Sequence, residues 1–283
     1  MSKKKQFAGK VAWITGGGTG IGEAMALELA RRGARVVVSG RRVQPLERVV
    51  AGCQAAGAEA LAVVCDVTDE HSVKDAVAAI IARWGRLDVA IANAGYSVTG
   101  KIESLTLDDW RRQFDTNVFG LVATIQAALP ELKKTRGRMV LIGSVAGTLA
   151  TPGTGAYNAS KYAVRAIGQT LAIELDGTGV SCTTVQPGFV ESEIARVDRF
   201  GQHHAEWRDH RPSLLMWPAA RAARVTIDAI YNREREFTFT GHGKLGVFLG
   251  SHTPGLVHRL FVTGARVQRL LGVKGPKIDK LSV

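Results

Sequence analysis

Short, nearly continuous apolar runs alternate along the chain with longer stretches in which apolar positions recur every three or four residues. The runs at Val11–Thr15, Arg35–Ser39, Ala60–Cys65, Leu87–Ala92, Arg138–Gly143, Val180–Gln186 and Glu236–Thr240 predict strands. Most lack the polar alternation of a half-exposed strand (Val-Ala-Trp-Ile, Leu-Ala-Val-Val), as expected where helices cover both faces of a parallel sheet. Amphipathic stretches at Gly20–Arg32, Val43–Ala56, Asp69–Trp84, Leu107–Lys134 and Ala156–Asp176 predict helices between them. The repetition from residue 11 to 240 predicts one α/β domain, residues 1–240, built on a doubly wound parallel sheet of about seven strands. Two segments break the rhythm. Residues 191–217 carry His203, His204 and His210 with Phe200, Trp207, Met216 and Trp217, and read as an inserted lid. Residues 241–255 are glycine-rich before a helical pattern resumes at Leu256–Leu271, so 241–283 reads as a C-terminal helical extension.

With 46% hydrophobic and 22% charged residues over 283 positions, the chain can bury a substantial core, which excludes wholesale disorder. Its net charge of +12 is concentrated at the ends. Residues 1–10 hold four lysines and no acid, and residues 241–283 hold seven Lys/Arg against Asp279 alone. The 230 residues between hold 26 basic and 24 acidic side chains. A nucleic-acid-binding protein concentrates Lys and Arg on its folded body, so this near-neutral body argues against a nucleic-acid partner. Cys53, Cys65 and Cys182 are odd in number and widely spaced, which fits unpaired thiols in a reducing compartment and offers no zinc spacing. The first ten residues hold no apolar stretch of a secretory leader, and no run reaches the ~18–20 apolar residues of a membrane span. A cytoplasmic protein is expected. His203, His204 and His210 match no metal-ligand spacing and are expected to be solvated lid residues, so no metal site is predicted.

The first predicted strand runs into Thr15-Gly-Gly-Gly-Thr-Gly-Ile-Gly22, which opens a helix. Glycines there let the chain turn tightly and bring backbone at Gly16, Gly18, Thr19, Gly20, Ile21 and Gly22 close to a ligand. The helix start adds free N–H groups and a positive dipole end, which suit a pyrophosphate. As the first βα turn of such a sheet, the loop predicts a dinucleotide site. An NAD site usually places an acid about 20 residues on, at the end of the second strand, to bind the ribose 2′-OH. Here that strand ends Val38-Ser39-Gly40-Arg41-Arg42, without one. Arg41, helped by Ser39 and Arg42, suits a 2′-phosphate instead, so NADP is expected rather than NAD.

Tyr157-Asn-Ala-Ser-Lys161 falls in a helical pattern, and its i, i+4 spacing puts Tyr157 and Lys161 on one face. A phenol with an ordinary pKa of ~10 is a poor base near neutrality, and a cation one turn away favours its phenolate. Such a tyrosine can shuttle a proton at a carbonyl carbon that exchanges hydride with the cofactor. Ser144 follows a predicted strand at the carboxyl edge of the sheet, where its hydroxyl can hold the substrate oxygen. Asn117 lies inside a long helical pattern, where Asn is a mediocre former. Asn93-Ala94-Gly95 closes the fourth strand.

In these motifs, with Asp66 after the third strand and Pro187-Gly188 after the sixth, the chain resembles the short-chain dehydrogenase/reductase family across residues 9–240. The resemblance implies a Rossmann-type fold with Tyr157 as acid/base and Lys161 lowering its pKa and holding the nicotinamide ribose. It implies Ser144 as the group that orients the substrate oxygen, and Asn117 as the anchor of a water for proton relay. It places Asp66 and Val67 at the adenine, Asn93, Ala94 and Gly95 on the ribose side, and Pro187, Gly188, Val190 and Ser192 around the nicotinamide. The Asn93 side chain can equally brace neighbouring strands, and both readings stay open. Family members that use NADP often carry a basic residue where Thr19 stands, so the NADP expectation here rests on Arg41.

The expected activity is NADP-dependent interconversion of an alcohol and a ketone or aldehyde. A reading from another class, a dinucleotide-binding regulatory or scaffold protein without turnover, is disfavoured by the complete Asn117, Ser144, Tyr157 and Lys161 set. The aromatic residues of the lid suggest a lipophilic substrate. The family resemblance also implies a homodimer or homotetramer built through the helices around 107–134 and 156–176. In the extension, Leu256, Val257, Leu260, Phe261, Val267, Leu270 and Leu271 share one face, opposite His258, Arg259, Arg266 and Arg269. Such a helix packs on the body or a neighbouring subunit, or it makes peripheral contact with an anionic membrane surface. An ordinary disordered tail is the third reading, and the pattern leaves all three open.

Overall fold

The computed structural model of the chain describes residues 5–207, 209 and 211–270, with residues 265–270 described by backbone alone. Lys3, Lys4, His210 and Leu271 lie outside the described residues, as do the side chains of Arg266, Val267, Arg269 and Leu270.

The strands are β1 (Val11–Thr15), β2 (Arg35–Gly40), β3 (Ala60–Val64), β4 (Val89–Ala92), β5 (Arg138–Ile142), β6 (Ser181–Val185) and β7 (Glu236–Phe237). They form one parallel sheet in the order β3-β2-β1-β4-β5-β6-β7. Helices α1 (Gly20–Arg31), α2 (Val43–Ala55), α3 (Glu70–Trp84), α4 (Leu107–Phe114), α5 (Gly120–Thr135), α6 (Gly155–Glu174) and α7 (Ala219–Tyr231) surround it. Beyond them lie α8 (Gly241–His252) and α9 (Pro254–Leu270). This is the Rossmann-type doubly wound arrangement. Strand order reverses at β1 and β4, so the loops leaving their carboxyl ends diverge and open a crevice.

Alternate residues of each strand serve opposite layers of the core. Ala12 and Ile14 of β1, with Val36 and Val38 of β2, meet Met25 and Leu29 of α1, Leu46 of α2 and Ile227 of α7. Val11, Trp13 and Val37 meet the other layer, with Val73 and Ile80 of α3, Ile125 of α5 and Val164 of α6. Burial on both faces explains the continuous apolar runs. The fourth strand is shorter than its run. At its start, Asp88 ties the strand to its neighbours, its buried carboxylate accepting from Val11 N at 3.0 Å and pairing with Lys10 and Arg86.

The single helix expected over 107–134 is divided. A capping box between Thr106 and Asp109 starts α4, and a π-helical turn at Asp115–Phe119 joins it to α5. The wider turn carries Asn117 inward, where Oδ1 accepts from Tyr96 N at 3.1 Å and Nδ2 donates to Tyr96 O at 3.0 Å. The glycine-rich start of the extension forms helix α8. Thr240 caps α8 by accepting from Gly243 N at 3.1 Å, and Gly243, Gly246 and Gly250 bring its backbone close to Val145, Leu149 and Thr148. These glycines serve close packing.

Candidate active site

Side-chain-to-backbone hydrogen bonds tie together the two strand ends that flank the crevice. Thr15 Oγ1 accepts from Asn93 N at 3.0 Å and from Ala94 N at 3.1 Å, which ties the end of β1 to the end of β4. Asn93 Nδ2 donates to Thr15 O at 2.9 Å and Gly16 O at 3.0 Å. The open question about Asn93 is answered in part, since its side chain braces the two strands while the residue still lines the cleft. Gly16 has φ of +62°, and a Cβ there would lie 2.8 Å from Ala94 Cα. A Cβ on Gly22 would overlap the Gly16 carbonyl and the Asn93 amide. The glycines are therefore required by the approach of loop, strand and helix. The Thr19 side chain makes no capping bond at the start of α1, which leaves the first N–H groups and the positive helix end to face the cleft.

The cleft measures about 470 Å³. It brings together Gly16, Gly18, Thr19, Gly20, Ile21, Gly22, Arg41, Arg42, Asp66, Val67, Asn93, Ala94, Gly95, Ser144, Tyr157, Lys161, Pro187, Gly188, Val190 and Ser192. Two expected residues fall outside it. Ser39 has the same parity as Val37 in β2, so it points into the core, where its Oγ accepts from Trp13 Nε1 at 2.9 Å and the side chain is fully buried. It is not available to help bind a phosphate, which corrects that expectation. Asn117 lies beneath the cleft, fastened to Tyr96 and donating to Ser160 Oγ at 3.1 Å, which in turn donates to Tyr157 O at 2.7 Å. It fixes the backbone beside the tyrosine.

At the inner end, Ser144 Oγ accepts from Ala146 N at 3.1 Å and lines the cleft beside Tyr157. Lys161 is buried and donates to Ile142 O at 2.8 Å, with Nζ 5.8 Å from the Tyr157 ring centroid. Burial lowers the Lys161 pKa to about 8. Burial also raises the Tyr157 phenol, against the Ser144 hydroxyl and the Arg211 charge, which lower it. Desolvation dominates both groups, because the ammonium is itself withdrawn from water and engaged by a carbonyl.

At the outer end, Arg41 and Arg42 are exposed and meet the lid. Arg41 donates to Gly201 O at 3.1 Å, whereas Arg42 pairs with Glu193 at 3.2 Å and Glu193 with His203 at 3.3 Å. The cleft side of the lid is polar, with Glu193, Gln202, His203 and Arg211 beside Ile194 and Val197. Trp207 stacks on His204 at 4.3 Å, Arg112 and Arg199 flank Phe200 at 5.0 Å, and Arg221 lies 3.8 Å from the Trp217 ring centroid. None of Phe200, Trp207, Met216 or Trp217 lines the cleft, so the lipophilic-substrate reading loses the residues that suggested it. Arg211 escaped the sequence reading. Its guanidinium donates to Ser192 O at 3.2 Å and Ser192 Oγ at 3.3 Å and pairs with Asp209 at 2.7 Å. No local spacing marks it, since the folding of the lid alone brings it to the tyrosine.

A glycine-lined anion cradle at a strand-order switch, with Ser144, Tyr157 and Lys161 at its inner end, defines a dinucleotide-binding oxidoreductase of the Rossmann class. The short chain dehydrogenase family model matches residues 10–202, and the chain belongs to that family. An uncharacterized oxidoreductase of Staphylococcus epidermidis is 36% identical over 231 residues, covering 81% of this chain and 98% of the relative. One of Myxococcus xanthus is 38% identical over 192 residues, covering 68% and 76%. Among solved structures, a short-chain type dehydrogenase/reductase from Mycobacterium marinum superposes with a TM-score of 0.75 at 26% identity, over 85% of this chain and 98% of that one. The alcohol dehydrogenase of Thermococcus sibiricus, complexed with 5-hydroxy-NADP, gives 0.71 at 27% identity, over 82% and 96%.

Proposed function

We propose that the protein is an NADP-dependent oxidoreductase that interconverts a small alcohol and its ketone or aldehyde, with Tyr157 as proton donor and acceptor. The observation that carries this reading is the convergence of Ser144, Tyr157 and Lys161 on the cleft that also contains the Gly16–Gly22 loop. Bound NADP supplies the hydride or accepts it. The loop and the α1 N-terminus hold its pyrophosphate, Asp66 and Val67 its adenine, Ala94 and Gly95 the ribose side, and Pro187, Gly188, Val190 and Ser192 the nicotinamide. Ser144 holds the substrate oxygen beside the phenol, so Tyr157 gives that oxygen a proton in reduction and removes it in oxidation. Lys161 keeps a positive charge next to the ring. The buried free thiols of Cys53, Cys65 and Cys182 support a reducing, cytoplasmic setting.

NADP preference rests on Arg41, because Glu193 already neutralises Arg42. In a panel of alcohols and carbonyls assayed with both cofactors, NADPH is expected to outperform NADH. Arg41→Ala is expected to weaken NADPH binding about tenfold and to leave NADH nearly unchanged. If the variant keeps its NADPH preference, the 2′-phosphate lies elsewhere. Gly22→Ala tests the cradle separately. Its methyl group meets the Gly16 carbonyl, so a destabilisation of about 1–3 kcal/mol and loss of cofactor fluorescence quenching are expected.

A further inference from the structure

The α8–α9 pair has two dissimilar sides. On the inner side, Gly246 and Gly250 lie against Val145, Leu149 and Thr148, and Val257 and Val262 line a cavity of about 750 Å³ facing Thr148–Pro152. The apolar face expected for α9 is therefore split, because Leu256 and Leu260 stay out of that packing. They are 50% and 60% exposed, and on α8 Leu245 and Phe248 are 58% and 56% exposed. An exposed cation directly precedes one leucine of each pair in the sequence, Lys244 before Leu245 and Arg259 before Leu260, and so flanks the apolar strip. Isolated exposed leucines are ordinary, but two apolar pairs on consecutive helices mark a contact surface.

The charge of the segment identifies what covers that surface. No Asp or Glu occurs from Phe237 to Ile278, while Lys244, Arg259, Arg266 and Arg269 all fall within 241–270. A second copy would bring the same positive charge to the contact, and the near-neutral body offers no acidic surplus to meet it. An anionic lipid surface meets both requirements at once, since it accepts apolar side chains at the acyl boundary and cations at its headgroups. No helix among the described residues is long and apolar enough to cross a membrane, so the contact is peripheral.

We propose that the outer face of α8 and α9 docks on an anionic bilayer, with Leu245, Phe248, Leu256 and Leu260 entering the interface and Lys244 and Arg259 at the headgroups. The pair is fastened to the cleft wall. His242 Nε2 at the start of α8 accepts from Phe189 N at 3.2 Å, directly after Gly188. Docking therefore holds the cleft itself at the membrane surface. This inference is independent of the cofactor and substrate readings.

The test is co-sedimentation of the full chain with vesicles of phosphatidylcholine alone and of phosphatidylcholine mixed with phosphatidylserine. Binding is expected to the mixed vesicles only. It should be released when salt rises from about 0.1 M to about 1 M, which shortens the Debye length from ~10 to ~3 Å. Leu256→Ser/Leu260→Ser is expected to lower the partition about tenfold, and Lys244→Glu/Arg259→Glu to abolish it, with solution mass and melting temperature unchanged. Equal partition of parent and variants overturns the proposal, as does equal binding to neutral vesicles. A change of solution mass in the leucine variant also overturns it, because a second copy then covers the face.

Discussion

Tyr157→Phe is expected to lower turnover of any accepted carbonyl about a thousandfold, within the range that a positioned acid/base contributes. Phenylalanine keeps the ring in its pocket at the start of α6 and removes only the hydroxyl beside Ser144. Cofactor affinity and melting temperature should therefore stay close to those of the parent, and the loss should appear in kcat. Within this chain burial raises the phenol, so the parent should oxidise alcohols faster as pH rises, whereas the phenylalanine variant should lack that limb. Full turnover by the variant would remove Tyr157 from the mechanism. A parent that binds NADPH yet turns over no substrate in the panel would favour the regulatory or scaffold reading.

The sheet could be read from sequence because its strands are buried on both faces, and continuous apolar runs are a strong one-dimensional pattern. The glycine cradle and the Tyr157–Lys161 spacing were also legible, since both depend on short-range geometry. What could not be read depends on parity or on distant packing. Ser39 seemed to belong with Arg41, but one step along a strand reverses the face, and its hydroxyl meets Trp13 in the core. Asn117 was recognised as a poor helix former, yet nothing local predicted that its amide would clasp both backbone groups of Tyr96 through a π-turn. The close packing that the α8 glycines allow was not legible either, because their partners, Val145 and Leu149, lie about a hundred residues earlier in the sequence. The aromatic residues of 191–217 stack on neighbouring side chains and leave polar groups to line the cleft. Arg211 likewise reaches the cleft from outside every motif.

Lys161→Met is expected to stop turnover and at the same time to stabilise the protein near neutrality. Lys161 is 6% exposed and its pKa falls from an ordinary 10.5 to about 8, with burial as the cause. Below pH 8 the folded and unfolded chains both carry the ammonium, so the folded state bears the whole desolvation cost, about 3 kcal/mol. Between about 8 and 10.5 the folded chain releases the proton while the unfolded chain keeps it. The unfolded state then binds more protons, so stability rises with pH across that window, and above it the cost is gone. Methionine fills much the same volume without a charge, at the expense of leaving the Ile142 carbonyl without its donor. The variant should therefore exceed the parent by about 2 kcal/mol at pH 7 in urea unfolding, the two should cross near pH ~9.5, and the parent should lead by about 1 kcal/mol at pH 10.5, the worth of the Ile142 hydrogen bond. A difference that does not vary with pH would mean the ammonium is not desolvated. The burial that destabilises Lys161 also keeps its charge within reach of Tyr157 and shields it from water, so stability and activity are opposed at this position.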